Sequence, residues 1–169
     1  MATALATLFA LGVAGTAAAY QQAPMLDAKV QAGELPPVDE RLPETPYVET
    51  MVEGVGKYGG TLRTTILANG DHYNLTRTIA NELLVRWKPD WSEVVPSLAE
   101  EVTASDDATT YTFKLRKGLK WSDGEPFTVD DIMFWYEDVF LNPDLSPSKH
   151  PTFTVKGEPV VVTKLDEDT

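Results

Sequence analysis

The fold is decided by the stretch PSLAEEVTASDDATTYTFKLRKGLKWSDGEPFTVDDIMFWYEDV, residues 96–139. Two strand patterns, residues 101–105 and residues 110–115, are separated by four residues of the kind that close a hairpin. In the second pattern every other residue is apolar, which is typical of a strand with one face on a core and the other in water. The stretch therefore begins with a predicted half-buried hairpin.

A helix pattern follows the hairpin. Residues 122–126 form a turn cluster, and Thr128 with Asp131 three residues later resembles a helix-capping arrangement. Residues 129–140 are apolar on most sides, which predicts a helix that is deeply packed rather than one lying on a wet surface. The Asn-Pro pair at residues 142–143 is expected to end this helix.

In their order and spacing these elements resemble the signature region of the extracytoplasmic solute-binding proteins that serve peptide and nickel ABC importers, the oligopeptide- and dipeptide-binding family, or family 5. The matching segments are residues 96–99, 105–115, 116–123 and 126–131, and GELPPVDERLPETP at 33–46 and KYGGTLR at 57–63 are similar to a large-ligand branch of the family. The resemblance implies an α/β fold of the periplasmic-binding-protein type II-like class, in which helices flank a mixed sheet. It implies a receptor and no catalysis.

From this resemblance we expect the substrate-binding component of an ABC importer, which captures a peptide-like or other medium-sized solute in the periplasm. Its partners would be that solute and the permease subunits at the inner membrane. Two alternatives of other classes stay open: a secreted carbohydrate-active enzyme, and a non-transporting sensory or interaction domain derived from the same fold. The sequence does not choose among peptides, nickel complexes, opines and oligosaccharides.

The chain divides into three regions. In residues 1–19 a short apolar run precedes small residues that a signal peptidase accepts, which predicts a cleaved signal peptide, although no Lys or Arg precedes Lys29. The alternative is a buried Ala-rich helix. Residues 20–56 contain five prolines among charged residues and are expected to form an extended arm that lies over the domain. Residues 57–169 are expected to be the N-terminal part of the first solute-binding lobe.

We expect this lobe to be truncated. A strand pattern at residues 160–164 is followed by acidic residues like those that reverse the chain at residues 105–110, and no returning strand comes after them. Such a strand would present an unpaired edge. The alternative is that residues 160–169 form a polar tail.

Charge and cysteine content limit the possible partners. The formal net charge of −12, from 26 acidic and 14 basic residues, repels phosphate backbones and anionic membrane surfaces, so we expect no nucleic-acid partner. A charge of this size also suits a soluble monomer. The absence of cysteine excludes disulfides, thiolate metal sites and a cysteine-linked lipid anchor. We therefore expect a secreted periplasmic protein that is not a lipoprotein.

The resemblance implies that the loop after the first strand lines the cleft between two lobes, so four residues of that loop are the candidates for contact with a ligand. They are Asn69, Asp71, His72 and Tyr73. They follow a strand pattern at residues 61–67 and precede a helix pattern in which apolar residues recur every fourth position from Leu75 to Trp87. That order places the loop at the carboxyl end of a strand, where open α/β folds gather ligand. The alternative is that these residues only form the turn.

No catalytic residue, metal site or cofactor is predicted. The two histidines have no second His at a metal-pair spacing, no GxSxG motif is present, and GVGK at residues 54–57 lacks the spacing of a phosphate loop. Trp87 and Trp91 either cover a core edge or face a ligand, and the first reading is favoured because large aromatics are mostly buried.

Overall fold

The computed structural model describes residues 20–76 and 81–169. The predicted signal peptide, residues 1–19, lies outside these ranges. Within them no helix is both long enough and apolar enough to cross a membrane.

The described strands form three two-stranded antiparallel sheets. They are β1 (Val85–Trp87) with β2 (Val94–Pro96), β3 (Ala99–Ala104) with β4 (Tyr111–Leu115), and β5 (Thr154–Val155) with β6 (Glu158–Pro159). The described α-helices are α1 (Asp27–Gln31), α2 (Val38–Arg41), α3 (His72–Leu75) and α4 (Val129–Phe134), and α4 continues as a π-helix over Trp135–Phe140. Short 3₁₀ turns occupy Pro24–Leu26, Asn69–Asp71 and Pro151–Phe153.

The predicted hairpin is confirmed as the pair β3 and β4, in which Val102 lies opposite Phe113. Its turn is held by the Asp107 carboxylate, which accepts hydrogen bonds from the Ser105 hydroxyl at 2.6 Å and from the Thr109 amide at 3.1 Å. The bond from Ser105, followed by those from Thr109, lowers the pKa of Asp107. On the predicted inner face of the hairpin, the side chains become more exposed from the core towards the turn. Only the end that is next to the core is buried.

The predicted helix start is confirmed. The Asp131 carboxylate accepts hydrogen bonds from the backbone N–H of Thr128 at 2.7 Å and from its hydroxyl at 3.2 Å. These bonds satisfy a backbone group that the first helical turn leaves without an intrahelical partner. The backbone bond from Thr128 is the main cause that lowers the pKa of Asp131.

The helix ends where the Asn-Pro pair predicts. Its last residue is Phe140, and the Lys149 ammonium donates hydrogen bonds to the carbonyls of Phe140 and Ser146. Burial is less complete than the sequence predicts: Tyr136 and Phe140 are buried, but Phe134 is 63% exposed.

A small core joins the hairpin to the helix. Leu115, Leu119 and Val129 form a buried cluster. Half-buried apolar side chains pack around it: Leu84, Leu98, Phe127, Ile132 and Met133.

Residues 43–49 are attached to this unit. The Glu44 amide donates to the Lys117 carbonyl at 2.9 Å, and the Arg116 guanidinium donates to the Thr45 carbonyl at 2.7 Å. Further along, the Arg86 guanidinium lies over the Tyr47 ring, 5.6 Å from its centroid. The segment therefore lies against the domain, although helices α1 and α2 precede it where the sequence predicts extended chain.

Residues 61–67 are not a strand in the structure, contrary to the sequence pattern. Leu62 is 82% exposed and Ile66 is 52% exposed, and neither side of the segment is paired with a described strand. An alternating pattern forms a strand only when a partner supplies the ladder hydrogen bonds. The predicted strand at residues 160–164, which follow β6, likewise joins no described sheet.

The helix pattern that runs to Trp87 is wrong at its end. Helix α3 ends at Leu75, position 79 lies outside the described residues, and Trp87 belongs to strand β1. A spacing of four residues places side chains on one face of a helix and also on one face of a strand. The spacing alone therefore could not distinguish the two.

Removal of the helix cap should destabilise the protein in a pH-dependent way. We expect Asp131→Ala to lower the free energy of unfolding by about 1 kcal/mol at neutral pH, and Glu137→Ala, on the same helix, to change it little. The pKa of Asp131 is lowered in the folded state, so the stability that its carboxylate contributes is fully present above the unfolded pKa of about 3.9. This stability is lost as pH falls through the lower pKa of the folded state. Urea unfolding near pH 7 and near pH 2.5 measures this, and an equal difference at both pH values would contradict it.

The turn of the β3–β4 hairpin offers a stabilising substitution. Ala108 has a φ of 55°, in the left-handed region that favours glycine. We expect Ala108→Gly to raise the free energy of unfolding by about 0.5–1 kcal/mol, whereas Ala104→Gly in strand β3 should lower it. Thermal unfolding of both variants measures the difference, and a loss of stability in Ala108→Gly would refute the assignment of the turn.

Candidate functional site

The four predicted ligand-contact residues lie on continuous helical backbone instead of an open loop. Asn69 begins the 3₁₀ turn that ends at Asp71, and His72 and Tyr73 begin helix α3. The expected position at the carboxyl end of a strand is not found, because residues 61–67 are unpaired. The residues are close in space because they are close in the chain.

Asp71 has a structural role in this turn. Its carboxylate accepts hydrogen bonds from the amides of Leu67 at 2.7 Å and Ala68 at 3.1 Å. The side chain is half-buried, and the same oxygen atom accepts both bonds. This supports the turn-forming alternative for Asp71.

His72 and Tyr73 present their rings to solvent. Tyr73 is 61% exposed, and the two ring centroids are 4.3 Å apart with the planes tilted by 30°. A tyrosine offers an apolar face and one polar tip, so this pair has the chemistry to contact a solute. Ligand contact by these four residues stays a prediction.

A large concave surface, which encloses a volume of about 1110 Å³, lies between strand β4, helix α4 and residues 160–165. Most of its lining is apolar, and it includes Phe113, Ile132 and Met133. Two of these side chains, Ile132 and Met133, also pack against the core cluster. The lining also contains threonines such as Thr112 and Thr163, and its continuity with the core cluster is typical of a protein interior.

A second concave surface of about 580 Å³ lies at the β1–β2 turn. Trp87 is 51% exposed and Trp91 is 73% exposed, and their ring centroids are 6.0 Å apart with the planes tilted by 31°. The rings are thus more exposed than buried aromatic side chains, and whether they cover a core edge or face a ligand stays a prediction. The sequence signal for exposure was their position on both sides of the polar turn residues 88–90.

The polar residues of the β1–β2 turn bond to one another. The Lys88 ammonium pairs with the Glu93 carboxylate, and the Asp90 carboxylate accepts from the Ser92 hydroxyl at 2.7 Å. The hydrogen bond to Glu93 raises the pKa of Lys88, and the bonds from Ser92 lower the pKa of Asp90. Neither concave surface contains any of the four loop candidates.

No cluster of metal-ligating side chains is found in the part of the chain that the structure describes. Residues 20–76 and 81–169 contain no group of three or more His, Asp or Glu side chains placed to hold an ion. Among the described residues, every buried side-chain nitrogen or oxygen atom has a hydrogen-bond partner.

Comparison with known proteins gives a consistent result. Residues 93–169 match the family model described as "Bacterial extracellular solute-binding proteins, family 5 Middle". The periplasmic alpha-galactoside-binding protein of Rhizobium meliloti is 36% identical over 83% of this chain and 23% of its own length. The dipeptide-binding protein of Escherichia coli is 36% identical over 62% of this chain and 22% of its own length.

Two solved structures are also similar. An oligopeptide-binding protein, OppA, matches with a TM-score of 0.75 and 40% identity over 88% of this chain and 23% of its own. The periplasmic binding protein MelB of Agrobacterium fabrum, solved with stachyose, matches with a TM-score of 0.54 and 35% identity over 72% of this chain and 21% of its own. The chain spans about a quarter of the length of the relatives it matches.

The role of Asp71 can be tested by amide hydrogen exchange. We expect Asp71→Ala to accelerate exchange at Leu67 and Ala68 by about fivefold, because each amide loses a hydrogen bond worth about 1 kcal/mol. Asp71→Asn keeps an acceptor oxygen and should change exchange less. Unchanged protection at both amides in Asp71→Ala would show that the carboxylate does not hold the turn.

Proposed function

Because residues 93–169 belong to family 5 of the bacterial extracellular solute-binding proteins, we propose that this protein is the substrate-binding component of an ABC importer. It captures a peptide-like or other medium-sized solute in the periplasm and delivers it to permease subunits in the inner membrane. The observation that carries the proposal is the likeness to receptor structures along most of the chain, with 40% identity to an oligopeptide-binding protein.

The fold agrees with this function. The likeness to OppA gives the chain an α/β fold of the type II-like periplasmic-binding class, of which the described elements are a part. The relatives are binding proteins and not enzymes. We propose the same for this chain, together with a periplasmic location and a monomeric state.

Residues 57–169 are proposed to be part of the first of two lobes, with residues 20–56 as an arm on its surface. The contacts of residues 43–49 with Arg116 and Lys117 support the arm. In this arrangement solute binds between the lobes and shifts the population towards a closed state, because only that state has contacts from both sides.

The large apolar surface is proposed to be the interior of this lobe and not the solute site. It is continuous with the core at Leu115, and its rim contains side chains such as Val161, which is 84% exposed. Contiguous apolar surface of this extent normally packs against other protein. We propose that further polypeptide of the same lobe covers it.

Solute contact in this lobe is proposed for Asn69, Asp71, His72 and Tyr73. The exposed rings of His72 and Tyr73 support it, whereas the carboxylate of Asp71 is occupied by the turn. Two solute classes are proposed, peptides and oligosaccharides. The names of the relatives support both, since one binds dipeptides and another binds alpha-galactosides.

The proposal is tested by ligand-induced stabilisation of the protein at its full encoded length. We expect one class in a panel of short peptides and α-galactosides to raise the melting temperature, since a ligand at a hundred times its Kd stabilises by about 2.7 kcal/mol. Tyr73→Ala should lower the affinity for that ligand by about tenfold, which is about 1.4 kcal/mol. Tyr58 is also an exposed tyrosine, and Tyr58→Ala should leave the affinity unchanged.

Three outcomes would contradict the proposal. No shift with any member of either class would reject a peptide or sugar receptor. Hydrolysis of the sugars during the assay would favour the carbohydrate-active enzyme. Equal affinity in Tyr73→Ala and Tyr58→Ala would show that the loop does not contact the solute.

A further inference from the structure

Residues 40–49, which we call the strap, lie along the loop that follows strand β4. The Glu44 amide donates a hydrogen bond to the Lys117 carbonyl at 2.9 Å. Nearer the start of the strap, the Lys120 ammonium donates to the Glu40 carbonyl. The strap and the loop therefore run in opposite directions, with the strap backbone as an acceptor for a basic side chain of the domain.

Two arginines of the domain hold the rest of the strap. The Arg116 guanidinium donates to the Thr45 carbonyl at 2.7 Å, and the Arg86 guanidinium forms an ion pair with the Glu49 carboxylate at 3.6 Å. Hydrogen bonds from a charged donor are stronger than those between neutral groups. Together with Lys120, these side chains attach the strap at its start, its middle and its end.

Apolar packing contributes little to this attachment. The residues of the strap are half-buried at most, and Val48 is 65% exposed. The core cluster and the apolar side chains that pack around it come from residues 84–133 and include none from the strap. The hairpin and helix α4 therefore have a core that does not need the strap.

The segment that follows the strap has the properties of a hinge. Residues 50–68 are all exposed and contain no helix or strand. Gly54, Gly59 and Gly60 have positive φ values, and no atom lies within 4 Å of the position that a β-carbon would take at any of them. Glycine has the greatest backbone freedom of all residues, and these surroundings do not restrict it. The strap can therefore move without displacing the chain beyond residue 68.

We propose that the strap docks and undocks as one cooperative unit while the hairpin and helix α4 stay folded. A segment with few buried apolar contacts opens at a lower free energy than the core. In the docked state the strap connects strand β1, through Arg86, to the loop after β4, through Arg116 and Lys120. Undocking breaks this connection. The strap is thus a conformational device of the lobe that works independently of the class of solute.

The test is amide hydrogen exchange of the full chain, measured by mass spectrometry. Lys120→Met removes one donor and keeps the aliphatic part of the side chain. We expect it to accelerate exchange in residues 40–44 by about tenfold, because a hydrogen bond from a charged donor is lost, and to leave strands β3 and β4 unchanged. Arg63→Met, at an exposed arginine of the hinge segment, is the matched control and should change neither region.

A second variant tests whether the strap opens as a unit. Glu49→Gln removes the ion pair at the far end of the strap. We expect it to accelerate exchange in the same residues 40–44, by about twofold, because an exposed ion pair contributes less than a charged hydrogen bond. Separate local openings would leave residues 40–44 of this variant unchanged.

Three results would overturn the proposal. Equal acceleration in the strap and in strands β3 and β4 would show that the strap belongs to the cooperative unit of the core. No effect of Glu49→Gln on residues 40–44 would show that the contacts open one by one. Exchange in residues 40–44 of the parent protein as slow as in the hairpin would show that the strap does not undock. The receptor function is decided separately, by the ligand-induced change in melting temperature.

Discussion

Three side chains from different segments meet behind the hairpin. Leu115 comes from the end of β4, Leu119 from the loop after it, and Val129 from the first turn of α4. A two-stranded hairpin or a short helix is only marginally stable by itself in water, so each element needs an apolar face from the other. Burial of a side chain of this kind contributes about 1.5–3 kcal/mol, and this contact therefore holds the hairpin and the helix together.

The position of other segments follows from that core. Arg116 comes directly after Leu115, and its guanidinium donates to the carbonyls of Ser97 at 2.7 Å and Thr45 at 2.7 Å. One side chain thus joins the hairpin, the β2–β3 connection and the arm. Arg86 adds a second attachment through its ion pair with Glu49 at 3.6 Å. Strand β1, which ends at Trp87, is in this way fixed to the same unit as the helix.

The two concave surfaces differ in what surrounds their apolar atoms. The larger one is continuous with the core, which is the arrangement of an interior that other polypeptide covers. The smaller one sits on a polar turn and displays two indoles. Apolar area alone would rank the first as the ligand site. The smaller surface differs in that its two rings are exposed and the polar side chains of its turn bond to one another.

Local features of the fold could be read from the sequence because their partners lie within a few residues. The Asp131 cap bonds to Thr128, the β3–β4 turn is held by Ser105 and Asp107, and the helix ends before the Asn-Pro pair. The resemblance to family 5 was carried by the same local patterns. For the candidate site, the sequence identified the segment that contains His72 and Tyr73 but placed it after a strand that the structure does not form.

What only the tertiary structure decided depends on contacts between distant residues. Whether residues 61–67 pair, whether Trp87 and Trp91 are covered, and whether the chain near Trp87 is helix or strand all depend on which segment packs against them. An alternating or four-residue pattern states which side chains share a face, but it does not state what that face meets. The amino-acid sequence by itself determined caps, turns and the family likeness, and the fold decided exposure, because exposure is a property of the neighbours that long-range packing supplies.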